Sequence, residues 1–519
     1  FGSSFALVSA WVSSCVGHFS HPAQRYADSR AAASGLSSSG DMLQLPDWPA
    51  WAVRTFAGLA VFTLGFAGVQ KKYTPDGKDE DADSKPIVGK QVPEFRAFQR
   101  RYLVVYYIIM LADWLQGTNM YSLYSSYDVN ISALFITGFT SSLIFGTVIG
   151  LFVDRWGRRF SCIVYLLIEI VVNICEHFNN FPLLLTSRIA GGVSTSLLFS
   201  AFESWMVSEH RALGFPKEWL ADTFSWASFG NGQAAIFAGF VAQICQDFRG
   251  EIGPFQAAIF FTILALPFVC FWRENYGEGK GEDAGGELAE GEDKMSLSLG
   301  SAGLQAIMAD KKVLLVGVVT ALFEGSMYSF VFMWVPTMFA ALKGSPLPNG
   351  LVFSCFMCCI SLGGLAFATM NRVVGVEYGS AVVFVVGAVA LSIPVFLESL
   401  PAILGSFIVF ETCVGMMFPA AGVLRSMVIP NHLQGSVINI FRIPLNILVI
   451  IGTKLTDDHP RSFCFSVIVC WLLMGGVLQF FLAGMLVSSQ AKEKEKEKEN
   501  GKENEEKKAA SNGKSKKSD

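Results

Sequence analysis

Long apolar stretches alternate with short polar or charged segments along most of this chain. We place them at roughly 101–124, 131–153, 160–178, 182–208, 219–245, 252–272, 312–341, 350–370, 379–397, 401–424, 433–453 and 462–487. Each is close to the ~20 residues that an α-helix needs to cross ~30 Å of hydrocarbon. The pattern predicts an all-α polytopic membrane protein with about twelve transmembrane helices.

A segment rich in Gly and Glu divides these stretches six and six. It predicts a cytosolic linker at 274–311, between an N-terminal six-helix half at 98–273 and a C-terminal six-helix half at 312–487. So polar a composition cannot form a packed core. After the second half, the Lys- and Glu-rich residues 488–519 predict a solvated and disordered tail.

Residues 1–97 form an extension ahead of the twelve stretches. Within it, the apolar run at 51–69 is long enough to be an extra span. The Ser- and Ala-rich residues 1–40 are compatible with the remnant of a targeting segment. The sequence leaves both readings open.

Lysine and arginine collect on one side of the predicted membrane. They precede the first stretch and follow the second, fourth, sixth, eighth and tenth, at Arg96, Arg100, Arg101, Arg155, Arg158, Arg159, Arg211, Lys217, Arg273, Lys311, Lys312, Arg372 and Arg425. By the positive-inside rule this side is cytosolic, so both ends of the twelve-span core are expected in the cytosol. We expect the plasma membrane, with an internal membrane as the alternative.

Composition and charge exclude several classes of function. The chain is 52% hydrophobic with a net charge of −4, and no basic stripe interleaves with aromatics, so nucleic acid is not an expected partner. Phosphate-loop, catalytic-triad and zinc-protease motifs are absent from the sequence, which argues against an enzyme, a bound cofactor or ATP-driven transport. Cys355, Cys358 and Cys359 have no His or acidic neighbours in the sequence, so we interpret them as packing residues and expect no metal.

Four charges interrupt the apolar pattern in GLFVDRWGRRF, the turn between the second and third stretches. Its spacing resembles the loop signature of the major facilitator superfamily, matched by Gly150, Asp154, Arg155, Gly157, Arg158 and Arg159. The glycine would let helices approach, and an acid that pairs with arginines or a helix terminus would form a gating latch. The alternative is a simple positive-inside anchor.

Several further blocks resemble the molybdate-anion transporter family more closely. They are LADWLQ (111–116), SRIAGGVSTSLLFSAFESW (187–205), FPKEWLADTF (215–224), DKKVLLVGVVTALFEG (310–325), FPAAGVLRSMVIP (418–430) and FRIPLN (441–446). The resemblance implies the major facilitator fold, with twelve helices in two pseudo-symmetric halves, and uptake of molybdate.

Ionisable residues inside apolar stretches are costly and mark functional positions. Asp113 and Glu324 each lie twelve residues past a basic residue at the cytosolic end of their stretch, so both are expected near the membrane midplane as proton-coupling or cavity charges. The alternative is structural pairing. Glu203 is expected in a gate or a tie between helices, and Glu411 is a further candidate cavity charge.

Arg442 is the candidate anion ligand, because a guanidinium can meet two oxygens of a tetrahedral dianion at once. Pro444 is expected to kink its helix, and Asn231, Gln233 and Asn439 could complete the binding shell. The alternative is that Arg442 neutralises Glu411 or Glu324. Three other charged residues, Arg188, Arg425 and Glu169, are interpreted as a structural or gating tie, an anchor and a structural acid respectively.

These observations predict a secondary active transporter that imports molybdate, or a related tetrahedral oxyanion, by alternating access. Proton coupling is left open. We expect the chain to act as a monomer in the lipid bilayer. Two alternatives remain, namely a non-transporting membrane sensor or scaffold of the same fold, and a carrier for another small anion.

Overall fold

The structure is a computed structural model of the chain. It describes residues 48–73, 91–146, 149–216, 219–276, 304–343, 345–429 and 434–515. The targeting segment expected at 1–40 and most of the expected linker therefore lie outside the described residues, as does the side chain of Asn439.

The described chain is built of α-helices, with one 3₁₀ turn at Gly250–Ile252. The helices are α1 Ala50–Tyr73, α2 Val92–Ser126, α3 Ile131–Gly146, α4 Ile149–Trp156, α5 Arg158–Cys175, α6 Phe181–Ala212, α7 Trp219–Arg249, α8 Gly253–Cys270, α9 Lys311–Ala341, α10 Asn349–Val373, α11 Val376–Phe396, α12 Leu400–Val428, α13 Gln434–Asp458 and α14 Arg461–Ser515.

Helices α2 to α14 supply twelve core spans, because α3 and α4 follow one another as a single span. The predicted all-α membrane fold is confirmed. By length and apolar composition alone, 8 helical segments of the described chain qualify as membrane spans, and α3 is a shorter apolar helix.

The last helix runs on into the segment expected to be a charged tail. α14 continues beyond the apolar stretch to Ser515. Lys, Glu and Ala have high helix propensity, and opposite charges three positions apart lie on neighbouring turns. The tail also extends a helix that is already packed, so it has no separate nucleation cost.

The apolar run at 51–69 lies in α1, which is long and apolar enough to span a membrane. α1 packs along α10 of the C-terminal half, where Gln70 Nε2 donates to the Leu365 carbonyl at 2.6 Å. At its other end, Trp48 Nε1 donates to Asp247 Oδ2 of α7 at 2.7 Å. α1 therefore contacts both halves.

The two halves touch through the outer ends of their helices. Ser132 at the start of α3 donates to Asp457 at the end of α13. Asn349 Nδ2 donates to Ser122 Oγ at 2.7 Å, and the backbone N–H of Gly350 donates to Gln243 Oε1 at 3.1 Å. These contacts gather at one end of the described helices, which the distribution of Lys and Arg predicts to be the outer end.

Two glycines let α7 and α10 meet backbone to backbone at this outer junction. A Cβ added at Gly239 would lie 2.4 Å from the Gly350 carbonyl oxygen, and one added at Gly350 would lie 2.1 Å from the Gly239 carbonyl oxygen. Because these contacts are with backbone atoms, a Cβ at either position could be accommodated only if the two helices moved apart. Close approach of this kind is typical of small residues between membrane helices.

We expect Gly239→Ala to push α7 and α10 apart and to populate a state that is open on the outer side. Labelling of a cysteine placed at Gln243 by an impermeant thiol reagent should then rise several-fold. Gly232→Ala on the same helix is the matched control, because a Cβ there meets nothing within 4 Å. Equal labelling in both variants would show that the close approach does not hold the outer side shut.

Candidate functional site

The C-terminal half brings one acid and two arginines together between α9, α12 and α13. The charges of Arg425 and Arg442 both act on the carboxylate of Glu324, which is half-buried on α9. Tyr328, one turn further along α9, lies within the electrostatic reach of Glu324 and Arg442. Arg425 is thus not only the anchor that the sequence suggests, because it belongs to the same group of charges.

Arg442 has the exposure that a ligand-binding cation needs. Its residue is exposed, whereas Glu324 and Arg425 are half-buried. Pro444 lies inside α13 as expected, and Asn446 Nδ2 donates to the Arg442 carbonyl at 2.7 Å. Of the two acids considered as its partner, the structure brings Glu324 to Arg442. Glu411 is instead buried in α12, where it acts electrostatically on Cys359.

Asp113 has a different neighbourhood from Glu324, although both lie on the first helix of a half. Gln116 Nε2 donates to Glu169 Oε2 at 3.0 Å and lies 3.5 Å from Asp113 Oδ1. Glu169 is 6% exposed and also accepts hydrogen bonds from Ser194 and Asn173. Asp113 therefore stands beside a second acid, whereas Glu324 stands beside two cations.

Arg188 forms a buried ion pair near the outer end of the N-terminal half. Its Nη2 lies 2.8 Å from Glu176 Oε1, and the Glu176 side chain is fully buried. Tyr124 donates its hydroxyl to the same oxygen at 3.1 Å. Arg188, interpreted from the sequence as a structural or gating tie, is thus held by a partner that the sequence reasoning missed, an acid near the end of the third apolar stretch.

The remaining polar candidates are dispersed. Glu203 is exposed near the cytosolic end of α6. Asn231 Oδ1 accepts from Trp114 Nε1 at 2.8 Å, which leaves its amide donors for another group. Gln233 is exposed two residues further along α7, about 200° around the helix, so the two amides lie on different faces.

Within the described residues, the acid of the predicted latch pairs inside its own turn. Asp154 pairs with Arg158 at 2.7 Å within its own turn, and the Asp154 side chain is 51% exposed. Gly157 has φ 109°, a conformation that favours glycine. A Cβ at Gly150 would meet nothing within 4 Å, so close packing is not its role in this state.

Glu274, which the sequence reasoning assigned to the linker, has a structural role at the start of α5. Its carboxylate accepts from the backbone N–H groups of Arg159 and Phe160 at 2.8 and 3.1 Å, and so caps the first turn of α5. It also lies 3.5 Å from the Arg159 guanidinium. A Cβ at Gly157 would fall 2.7 Å from this carboxyl group. The position therefore requires glycine for lack of space as well as for its backbone conformation.

We expect Glu274→Gln to destabilise the protein by about 1 kcal/mol, because an amide cannot supply two charged acceptor oxygens to a helix N-terminus. The measurement is thermal unfolding of the purified protein in detergent. Glu398→Gln, in the exposed connection before α12, is the control. If both variants unfold at the same temperature as the parent, the cap contributes nothing to stability.

Comparisons with known proteins agree with this architecture. The family described as sugar transporters with 12 transmembrane segments matches residues 78–418. The molybdate-anion transporter of Xenopus tropicalis is 32% identical over 397 residues, covering 72% of this chain and 83% of that protein. That of Takifugu rubripes is 33% identical over 388 residues, covering 69% and 79%.

Two solved structures share the fold. The nucleoside transporter NupG superposes with a TM-score of 0.58 at 10% identity, covering 75% of this chain and 99% of that chain. A bacterial homologue of the human lysosomal transporter Spinster, in an inward-facing and unoccupied conformation, superposes with a TM-score of 0.58 at 9% identity, covering 77% and 99%. At these identities the likeness concerns the fold alone.

Proposed function

Because the chain belongs to the molybdate-anion transporter family of the major facilitator superfamily, we propose that it imports molybdate, or a related tetrahedral oxyanion, by alternating access. The observation that carries this proposal is the group formed by Glu324, Arg425 and Arg442. A scaffold has no need of Glu324 and Arg442 inside apolar stretches, since a charge there is costly within a membrane.

The charges of this group match a dianion once one proton is added. Arg425 and Arg442 contribute two positive charges, and ionised Glu324 removes one of them. A dianion that binds the two guanidiniums repels ionised Glu324, and protonation of that carboxyl removes the repulsion. The anion and the proton would thus favour each other's binding, which is the requirement for symport.

The conformation supports a transport cycle. The halves are joined at what we take to be their outer ends, Asp154 pairs with Arg158 in the described part of the chain, and Arg442 is exposed. This combination suits a state that is open to the cytosol, from which the dianion would be released. Rocking of the halves would then break the outer junction and engage the latch.

The direct test is uptake of radiolabelled molybdate by cells that express the full chain, with tungstate and sulfate as competitors. We expect uptake well above that of cells carrying an empty vector, and competition by tungstate at least as strong as by sulfate. If protein at the membrane surface produces no uptake of any of the three anions, the sensor or scaffold becomes the better account. Uptake of sulfate alone would mean that the protein is a transporter whose substrate is sulfate rather than molybdate.

A further inference from the structure

A cavity of about 370 Å³ lies at the cytosolic end of α2, in the opposite half of the molecule from Arg442. It is lined by Arg96, Gln99, Arg100, Leu103, Val104, Tyr107 and Trp226. All of these except Trp226 belong to α2 and recur every three or four positions, so they share one face of the helix. The cavity is therefore a groove between α2 and α7.

Two arginines lie at the cytosolic end of the groove, and among the described residues only one of them is in an ion pair. Arg96 Nη1 lies 2.7 Å from Asp222 Oδ2 and so is already paired. Arg100 uses only its Nε, which donates to the Arg96 carbonyl at 3.2 Å. Within the described part of the chain its terminal nitrogens have no acceptor, so they can bind an anion that enters the groove.

The deeper end of the groove is apolar. Val104 lies one turn from Arg100, about 6 Å further into the membrane, and is 50% exposed. Trp226 of α7 faces the groove and is 48% exposed. The Tyr107 hydroxyl donates to the Trp226 carbonyl at 2.6 Å and joins the two walls at the inner end.

We propose that this groove binds the headgroup of an anionic phospholipid from the cytosolic leaflet. The phosphate would meet Arg100, and the glycerol and first methylenes would cover Val104 and Trp226. An inorganic oxyanion would leave that apolar wall exposed, and a zwitterionic lipid would bring its own cation to Arg100. Anionic lipids concentrate in the cytosolic leaflet, where basic side chains near the headgroups attract them.

Native mass spectrometry of the purified full-length protein tests the site directly. The detergent-solubilised protein is titrated with phosphatidylglycerol, with phosphatidylcholine of the same acyl chains, and with inorganic phosphate. We expect the protein to prefer phosphatidylglycerol and Arg100→Gln to weaken that binding about fivefold. Arg100→Lys should retain most of it, because the lipid phosphate needs a positive charge at this level.

Two further variants separate the groove from general surface charge. Arg101→Gln removes the neighbouring exposed cation, which does not line the groove, and should leave phosphatidylglycerol binding unchanged. Trp226→Ala removes an apolar wall and should weaken binding of the lipid without affecting inorganic phosphate.

Equal losses in Arg100→Gln and Arg101→Gln would overturn the proposal, as would equal affinity for phosphatidylcholine. Inorganic phosphate that competes fully with phosphatidylglycerol would mean that the groove takes a small anion instead. The readout is binding rather than uptake, so failure here is distinguishable from failure of the transport proposal.

Discussion

Replacing Arg442 by lysine is expected to weaken molybdate binding by about tenfold to a hundredfold. Lysine keeps the positive charge but loses the planar pair of donors that meets two oxygens of a tetrahedral dianion, and a charge-assisted hydrogen bond contributes about 1.5–3 kcal/mol. The measurement is the concentration of molybdate that half-saturates uptake by Arg442→Lys and by the parent protein, at matched surface expression.

Arg372→Lys is the matched control for this experiment. Arg372 is an exposed cytosolic arginine at the end of α10, so its replacement should leave half-saturation unchanged. Half-saturation should also be measured for Arg425→Lys, because Arg425 and Arg442 both act electrostatically on the carboxylate of Glu324. If Arg442→Lys transports with the affinity of the parent, Arg442 only balances Glu324, and the anion binds elsewhere.

Replacing Glu324 by glutamine is expected to abolish the pH dependence of uptake. If the proposed coupling holds, acidification of the outer side should protonate Glu324 in the parent protein, remove the repulsion of the dianion and raise uptake by up to about tenfold per pH unit for one proton. Glutamine is neutral at every pH, so Glu324→Gln should take up molybdate equally well over the whole pH range in which uptake by the parent protein changes.

Asp113→Asn distinguishes the two halves as the place of proton coupling. Asp113 stands beside Glu169 rather than beside arginines, and we expect its replacement to change the pH profile less than that of Glu324. If uptake becomes independent of pH in Asp113→Asn alone, the acid that couples protons to transport lies in the N-terminal half. Parent-like profiles in both variants would exclude proton coupling through either acid.

The helical architecture was predictable because membrane helices are specified locally, by runs of apolar residues about as long as the bilayer is thick. The twelve core spans could be read in this way, whereas the latch and the division into two six-helix halves stay predictions. The continuation of α14 to Ser515 is not read in this way, since solvation and helix formation are compatible in a sequence rich in Lys and Glu.

The candidate site was less predictable, because its pairs join residues that are far apart in the sequence. Glu274 caps α5 from 115 positions away, and Gln116 reaches Glu169 across 53 positions. The sequence singled out Glu324 and Arg442 as buried charges, but periodicity places a residue on its own helix and does not say which helix lies opposite.

The position of helix α1 predicts on which side of the membrane the residues before it lie. It lies along α10 with Trp48 beside the outer part of α7 and Gln70 near the cytosolic end of α10, at Thr369. A peptide epitope inserted just before Trp48 would thus be exposed at the outer surface of the membrane, while one placed in the α14 extension would face the cytosol. An antibody added to intact cells should stain the first epitope, and the second only after permeabilisation.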